Sequence, residues 1–343
     1  MRSPSWLAIV LCVGALAAPA ARAEPTTIRV ATAAPDGTGW ARLFRAMARD
    51  VATESNGEVA LKWYFGGIAG SEGEMLDRMR RGQLDGVMSG GMLCMRLAPS
   101  MRVLRLLGLF QSREEAAYVM GRLRPIVDEE FAKNGYHNMG EAGLGSDILF
   151  TRTPVRSLAE LTHSRLWVWD LDELMRAQLQ ALGLPAVPLP VEQASRAYEE
   201  GRTDGFIAVP TAALAFQWST ATRYMAQLHL GFLTGCMIMT NRAFDPLSVK
   251  ARSALTVSVA RFGARLEDLG RSQDAALLDK LFAKQGLQNV PISRSFAADF
   301  FDRAHTLRDQ LPDSALSRAL IERVVSWLAD YRAEHQLRSA PHR

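Results

Sequence analysis

One pattern occurs twice in this chain: an amphipathic segment, then Gly-x-x-Asp-Gly, then an apolar run. The first copy is MLDRMRRGQLDGVM, from Met75 to Met88, and the second is ASRAYEEGRTDGFI, from Ala194 to Ile207. In each, the first glycine (Gly82, Gly201) suits the end of a helix, where a left-handed backbone costs glycine least, and Asp-Gly makes the turn that launches a strand. The repetition implies two related α/β lobes. Such chains keep a ligand in the cleft between the lobes, at the carboxyl ends of the strands. Gly-x-x-Asp-Gly is also common punctuation between a helix and a strand, so the rest of the chain has to support the inference.

The first 23 residues point to a compartment. Arg2 precedes an apolar run from Trp6 to Ala18, and the segment ends at Ala21-Arg22-Ala23, which reads as a secretory signal peptide with a small-x-small cleavage site. The run is too short for a lasting membrane span. Cys12 has no small residue before it, which argues against a lipoprotein anchor. The mature chain is expected to begin at Glu24, soluble and periplasmic, with about 320 residues, enough for two lobes of ordinary size. Losing Arg2 and Arg22 lowers the formal charge of +4 by two units, and the remaining basic residues are interspersed with Asp and Glu. No basic patch points to nucleic acid. Cys94 and Cys236 can pair in an oxidising compartment, but their distance in the chain favours two buried thiols.

Along the chain, Thr27 to Ala34 reads as a strand, Trp40 to Glu54 as a helix and Val59 to Phe65 as a second strand, ahead of the first repeat. A helix from Arg113 to Asn134 and strands at Tyr136 to Ala142 and Ser146 to Arg152 lead towards the second lobe. That lobe has strands at Arg165 to Trp169 and Ala186 to Leu189, a helix from Leu171 to Leu182, then the second repeat. Met237 to Thr240 reads as a returning strand. After Pro246 a helical stretch runs to about Gln285, with Val249, Leu255, Val259, Phe262, Leu266 and Leu269 on one face.

Searches for reactive constellations find none: no HExxH, no GxSxG, no P-loop and no GxGxxG. His137, His163, His229, His305, His335 and His342 show no metal-ligand spacing, and two mature cysteines do not make a recognisable metal site. An enzyme is not expected, and neither is a cofactor or a metal.

The order of motifs resembles the DctP-type solute-binding proteins of tripartite ATP-independent periplasmic (TRAP) transporters, over essentially the whole mature chain. The carrying segments are YFGGIAGSEGEMLDRMRRGQLDGVM (64–88), SLAELTHSRLWVWDLDELMRAQLQALGLPAVPLP (157–190) and YEEGRTDGFIAVP (198–210). The resemblance implies an α/β, two-lobed periplasmic binding protein (type II-like) with a long bracing helix and an interlobe cleft that closes on its ligand by a hinge motion. Residues 24–147 plus about 236–265 would form lobe I, and 148–235 lobe II. About 246–285 would be the bracing helix, 286–334 C-terminal helices and 335–343 a loose tail. The implied partners are membrane permease subunits and a small-molecule ligand. A subset of the family also works with a tetratricopeptide-repeat protein.

The chain departs from that family where a ligand would be held. The segment corresponding to Ser164 to Trp169 usually carries an arginine that pairs with the carboxylate of an organic acid, and here that position is Trp167. Arg165, two residues back on the same strand face, sits farther from the cleft. A second expected arginine is replaced by the region Gly145-Ser146-Asp147. A polar stretch after the second Asp-Gly has become Phe206-Ile207-Ala208-Val209-Pro210. A buried carboxylate without a cation forfeits a charge-assisted bond of about 1.5–3 kcal/mol and its hydration. An apolar, aromatic or lipid-like ligand is therefore expected, held by Trp40, Met88, Met92, Trp167, Trp169, Val209, Pro210 and Leu214. Glu72, Ser89, Gly90 and Gly91 would bond its polar end, and Asp170 either does the same or caps the following helix. Two alternatives remain open: an organic carboxylate held by a different cation, and a ligand-sensing module for a membrane receptor.

Overall fold

The computed structural model describes residues 24–339; the expected signal peptide (1–23) and residues 340–343 of the expected tail lie outside them. In chain order the strands are β1 (Thr26–Thr32), β2 (Val59–Tyr64), β3 (Gly86–Ser89), β4 (Tyr136–Ser146), β5 (Ile148–Thr151), β6 (Leu166–Trp169), β7 (Ala186–Leu189), β8 (Gly205–Ala208), β9 (Tyr224–Ala226), β10 (Phe232–Thr240) and β11 (Gln288–Asn289). They form two sheets, one in each lobe, with the orders β2-β1-β3-β10-β4 and β11-β9-β5-β8-β6-β7. In the first, β1 runs parallel to β2 and β3, while β10 is antiparallel to β3 and β4. In the second, β6 is parallel to β7 and β8, and β5 is antiparallel to β8 and β9.

Only Asp147 separates β4 from β5, so the chain passes from one sheet to the other within a single residue. It returns through Gln227 to Gly231. The two crossings are tied by backbone bonds, from Leu230 N–H to the Asp147 carbonyl and from Asp147 N–H to the Gly231 carbonyl, each 2.9 Å. The return strand is longer than its sequence signal: β10 begins at Phe232, and every residue in it is buried, so it carries no alternation to read.

The two copies of the repeated motif adopt one geometry. The helices Glu72–Arg80 and Val191–Glu199 both end at a left-handed glycine, Gly82 (φ 74°) and Gly201 (φ 70°). Asp85 then clamps Arg29 of β1, its Oδ2 accepting from the Arg29 backbone N–H (2.8 Å) and Nε (2.7 Å) and its Oδ1 from Nη2 (2.8 Å). Asp204 does the same to Arg165, beside β6, at 2.9, 2.8 and 2.9 Å. The glycine that follows each aspartate is required by close strand packing. A Cβ on Gly86 would stand 2.7 Å from the Ile238 carbonyl oxygen, and one on Gly205 would stand 2.3 Å from that of Phe150. Arg165 is thereby committed to a structural pair.

The long helix Val249–Ala276 continues through a π-type turn at Leu277–Leu281 into Phe282–Lys284. Leu255, Val259, Phe262 and Leu266 pack against lobe I with Met139 and Ala142, while Leu277 and Phe282 pack into lobe II beside Phe150 and Trp218. Twenty-eight residues at 1.5 Å each give about 42 Å, enough to span both lobes. Val249, assigned to the buried stripe from its spacing, is 76% exposed, because it opens the helix before the helix reaches the sheet. Farther on, Arg294–Gln310 packs on lobe II through Phe296 and Phe300, and Arg318–Ser339 packs on lobe I through Ile321, Val324 and Leu328. This last helix runs past Glu334, where a loose tail was expected. Among the described residues no helix is long and apolar enough to cross a membrane.

Cys94 and Cys236 form a disulfide, which corrects the expectation of two thiols. The chain separates them by 142 residues, but β10 inserts beside β3, and the helix Met92–Leu97 follows β3 directly, so their Cα atoms lie 6.1 Å apart. The bond fixes the helix behind the Ser89-Gly90-Gly91 turn to the centre of the first sheet. Replacing both cysteines with alanine should cost about 3–5 kcal/mol in a denaturant melt, because the closed loop is long. Alkylation of the denatured, unreduced chain from Glu24 onward should leave both residues unmodified; reaction at either contradicts the pairing.

The Arg-Asp clamps set a pH dependence. Burial pushes the Asp85 carboxyl up, but the bonds from Arg29 outweigh it and hold the group below the usual aspartate range. The bond from Arg165 likewise holds Asp204 low. A lowered folded value means stabilisation that is present above the ordinary 3.8 and is lost as pH falls through the folded value. Asp85→Asn should therefore cost on the order of 1–2 kcal/mol at neutral pH and almost nothing in strong acid. Asp204→Asn should cost less, since Arg165 is half exposed. Melts of both variants across pH check the sign.

Candidate functional site

The carboxyl ends of β1, β3 and β6 converge on a cleft between the lobes that encloses about 740 Å³, part of it open to solvent. Lobe I supplies Thr32 to Ala34 at the end of β1, Trp40 and Phe44 from the helix Gly39–Glu54, and Met88 to Gly90 at the end of β3. Leu144 of β4 and Leu233 and Cys236 of β10 form its floor, and Val259, Phe262 and Leu266 of the long helix close one side. Lobe II supplies Trp169, Val209, Ala212 and Phe216. Glu141 is the one charged residue among the described lining residues. Burial pushes its carboxyl up, and its side chain turns to Asn138 and to Arg124, whose Nη1 is 3.7 Å away.

A second, inner chamber adjoins this cleft, about 440 Å³ with its solvent-open part included, and Trp169, Val209, Ala212, Phe216 and Leu233 are common walls. Its own walls include Met92, Trp167, Met175 and Trp218, and at one side Arg105, Asp147 and Asp172. Arg105 ends the short 3-10 segment Pro99–Arg105 of lobe I and is fully enclosed. Its Nε and Nη2 donate to Asp172 Oδ2 at 2.9 and 2.8 Å, and its Nη1 donates to Asp147 Oδ2. Burial alone would favour a neutral guanidine, but the two carboxylates reverse that and keep Arg105 charged. Burial pushes the Asp147 carboxyl up, against the pull of Arg105. Gln178 accepts from Leu107 N–H and donates to the Arg105 carbonyl, both at 3.0 Å, so the backbone around Arg105 is fixed as well.

The sequence-derived site residues fall into three groups. Trp40, Met88, Ser89, Gly90, Trp169 and Val209 line the cleft, whereas Met92 and Trp167 line the inner chamber. Trp167 is only 3% exposed: its indole lies 4.9 Å from that of Trp218, and its Nε1 donates to the Leu189 carbonyl at 3.0 Å. The position where the resemblance puts a carboxylate-binding arginine is thus filled by packed aromatic core. Glu72, Asp170, Pro210 and Leu214 line neither space. Glu72 is buried behind the turn, accepting from Ser89 Oγ (2.8 Å), Gly90 N–H (2.6 Å) and Leu93 N–H (2.8 Å). Its burial pushes the carboxyl up while these donors pull it down, so its part is to shape the turn. Pro210 is buried as the first residue of the helix Pro210–Ala215, and Leu214 faces a separate outer hollow with Pro35 and Asp36. Asp170 does not cap the following helix. Asp172 does, accepting from Met175 N–H at 3.0 Å, because the chain makes one more turn before Glu173–Ala181 begins.

Phe44, Leu144, Ala212, Phe216, Leu233 and the Val259-Phe262-Leu266 stripe were not foreseen as cleft residues. The stripe was legible only as a buried helix face. Arg105 had a signal, since an arginine inside the apolar run MRVLRLLGLF has to be paired or exposed.

The sequence matches the family of bacterial extracellular solute-binding proteins, family 7 (DctP), over residues 30–312. The chain belongs to that family of solute-binding proteins. No curated protein is significantly similar in sequence. Its fold is similar to that of the sugar acid binding protein DctPAm from Advenella mimigardefordensis in complex with galactonate (TM-score 0.84, 16% identity, 90% of this chain and 99% of that one). It is also similar to a TRAP periplasmic solute-binding protein from Haemophilus influenzae with bound L-gulonate (TM-score 0.81, 16% identity, 89% and 99%). A third is DctP7 of Bordetella pertussis, an extracytoplasmic solute receptor binding pyroglutamic acid (TM-score 0.79, 16% identity, 88% and 99%).

Removing the cation from the buried triad should be costly. Arg105→Ala leaves two carboxylates enclosed without a partner, and unfolding measurements at neutral pH should register a loss of about 3–5 kcal/mol. The loss should shrink as pH falls, because the native state then protonates the Asp147 carboxyl, which burial already pushes up. A loss below about 1 kcal/mol would mean that water reaches the triad.

Proposed function

We propose that this protein is the extracytoplasmic solute-binding component of a TRAP-type transporter, exported to the periplasm through a cleaved signal peptide. It captures a small apolar, aromatic or lipid-like ligand between its lobes and delivers it to membrane permease subunits. One observation carries the ligand reading: the cleft walls are apolar or aromatic, and no arginine stands among the described residues that line the main cleft. Burial of apolar ligand surface stabilises a complex by roughly 25 cal/mol per Å², so a ligand covering about 200–300 Å² of such wall needs few polar contacts. The similar proteins with bound galactonate, gulonate or pyroglutamic acid hold carboxylates, but at 16% identity their ligands do not transfer to a cleft of this composition.

The two alternatives have less support. Arg105 lines the adjoining chamber, and its Nε, Nη1 and Nη2 already donate to aspartates, which leaves an organic acid little of its N–H edge. A sensing module would use the same closed lobes against a receptor instead of a permease. A periplasmic tetratricopeptide-repeat protein is a further partner compatible with an apolar cargo, and a pull-down with the permease separates these readings.

Closure has a specific contact to test. Trp169 of lobe II lies over Gly90 of lobe I so closely that a Cβ there would be 2.9 Å from its Cη2 and 3.2 Å from its Cζ3. Native mass spectrometry of gently purified protein, with solvent extraction, should recover a lipid, sterol or aromatic compound; a small organic acid would overturn the apolar reading. Gly90→Ala should then weaken binding of the recovered compound by about tenfold, through a closed state biased by about 1.4 kcal/mol, as read by titration calorimetry. Unchanged affinity would mean that Trp169 does not seat on Gly90 in the bound form.

A further inference from the structure

The inner chamber carries a charge pattern that the outer cleft lacks. Its charged walls are one cation and two anions, Arg105, Asp147 and Asp172. Asp172 is fully engaged, with Oδ2 on Arg105 and Oδ1 on the Met175 N–H. Asp147 meets Arg105 through Oδ2 alone, and its Oδ1 accepts no hydrogen bond among the described residues although the residue is only 2% exposed. Asp147 lines the chamber, and its Oδ1 is not among the fully buried polar atoms left without a partner, so this oxygen is open to a group that enters the chamber. Trp169 and Phe216, both half-buried, line the same chamber, and their ring faces carry negative potential, whereas Trp167 and Trp218 are packed behind them.

A surplus carboxylate beside aromatic faces attracts an organic cation and repels an anion. A carboxylate entering this chamber would have to draw Arg105 away from an aspartate, leaving that aspartate enclosed and unpaired. An alcohol would satisfy Asp147 Oδ1 with one bond but would gain nothing from the surplus charge. We infer that the inner chamber receives the amine or quaternary ammonium end of the ligand, against Asp147 and the rings of Trp169 and Phe216, while the ligand's apolar body fills the outer cleft. This rests on the reading of the cleft as an apolar ligand site. Burial of Asp147 fits the same arrangement, since a bound cation offsets the penalty that pushes its carboxyl up.

Three probes that share a ten-carbon chain separate the possibilities: decyltrimethylammonium, 1-decanol and decanoate, each titrated into the purified, delipidated protein at neutral pH below its micelle concentration. Tryptophan fluorescence, with calorimetry as a second readout, gives the affinities. The ammonium probe should bind at least about tenfold tighter than decanol, and decanoate should be weakest. Decanoate binding as tightly as the ammonium probe overturns the inference while leaving the apolar cleft intact. Failure of all three, decanol included, overturns the apolar reading and the inference with it. Asp147→Asn should bring the ammonium-to-decanol ratio towards one. If that variant does not fold, Phe216→Leu, at a half-buried position, should lower the ratio about threefold by removing one ring face. An unchanged ratio in Phe216→Leu counts against the assignment.

Discussion

Arg105 is enclosed at the place where the chain crosses between the lobes, and the arrangement of the protein around the cleft depends on how that charge is met. Asp147 is the single residue between β4 and β5, and Asp172 caps the first helix after β6, so the guanidinium joins a lobe I segment to the crossing and to lobe II at once. A buried cation of this kind is tolerated only with partners in good geometry. That requirement fixes the Arg105 backbone through Gln178, places Asp172 at a helix start and holds the crossing where two backbone bonds tie it to the return strand.

Around that pin the cleft is built from rigid pieces. The disulfide anchors the helix behind the Ser89-Gly90-Gly91 turn, and Glu72 holds the turn itself through three donors, so the lobe I rim keeps its shape when Trp169 comes down on Gly90. The long helix closes one side with Val259, Phe262 and Leu266 and carries its far end into the core of lobe II. Trp167, where the resemblance implies an arginine, packs against Trp218. Within the fold, Arg105 is matched by two carboxylates, one more than its charge balances.

How much of this was legible depended on the range of the interaction concerned. Gly82 and Gly201 are left-handed for a reason that lies within five residues of each, and both were readable. The Ser71 capping box with Glu74 is a contact of equally short range. The pairing of Cys94 with Cys236 was not readable, because it follows from β10 inserting between β3 and β4, a strand order no local pattern encodes. Val249 matched the period of a buried face and is exposed, because period says which residues share a side but not where along the helix its partner begins. Leu214 and Pro210 belong to the right segment, yet the short helix that contains them turns them away from the cleft while presenting Ala212 to it.

By itself the sequence determined the two α/β units, their shared helix-to-strand turn, the bracing helix and the absence of an arginine at Trp167, since each is written in spacings of a few residues or in the identity of one side chain. Tertiary structure alone decided that Asp85 and Asp204 would clamp equivalent arginines. It also decided that Arg105 would stand between two aspartates, and that a helix stripe in one part of the chain would wall a cleft begun by β1 in another. Those outcomes depend on strand order and on where the chain crosses between sheets. Local rules act over a turn or a pleat, whereas a cleft is a surface assembled from segments that meet only after the whole chain has folded.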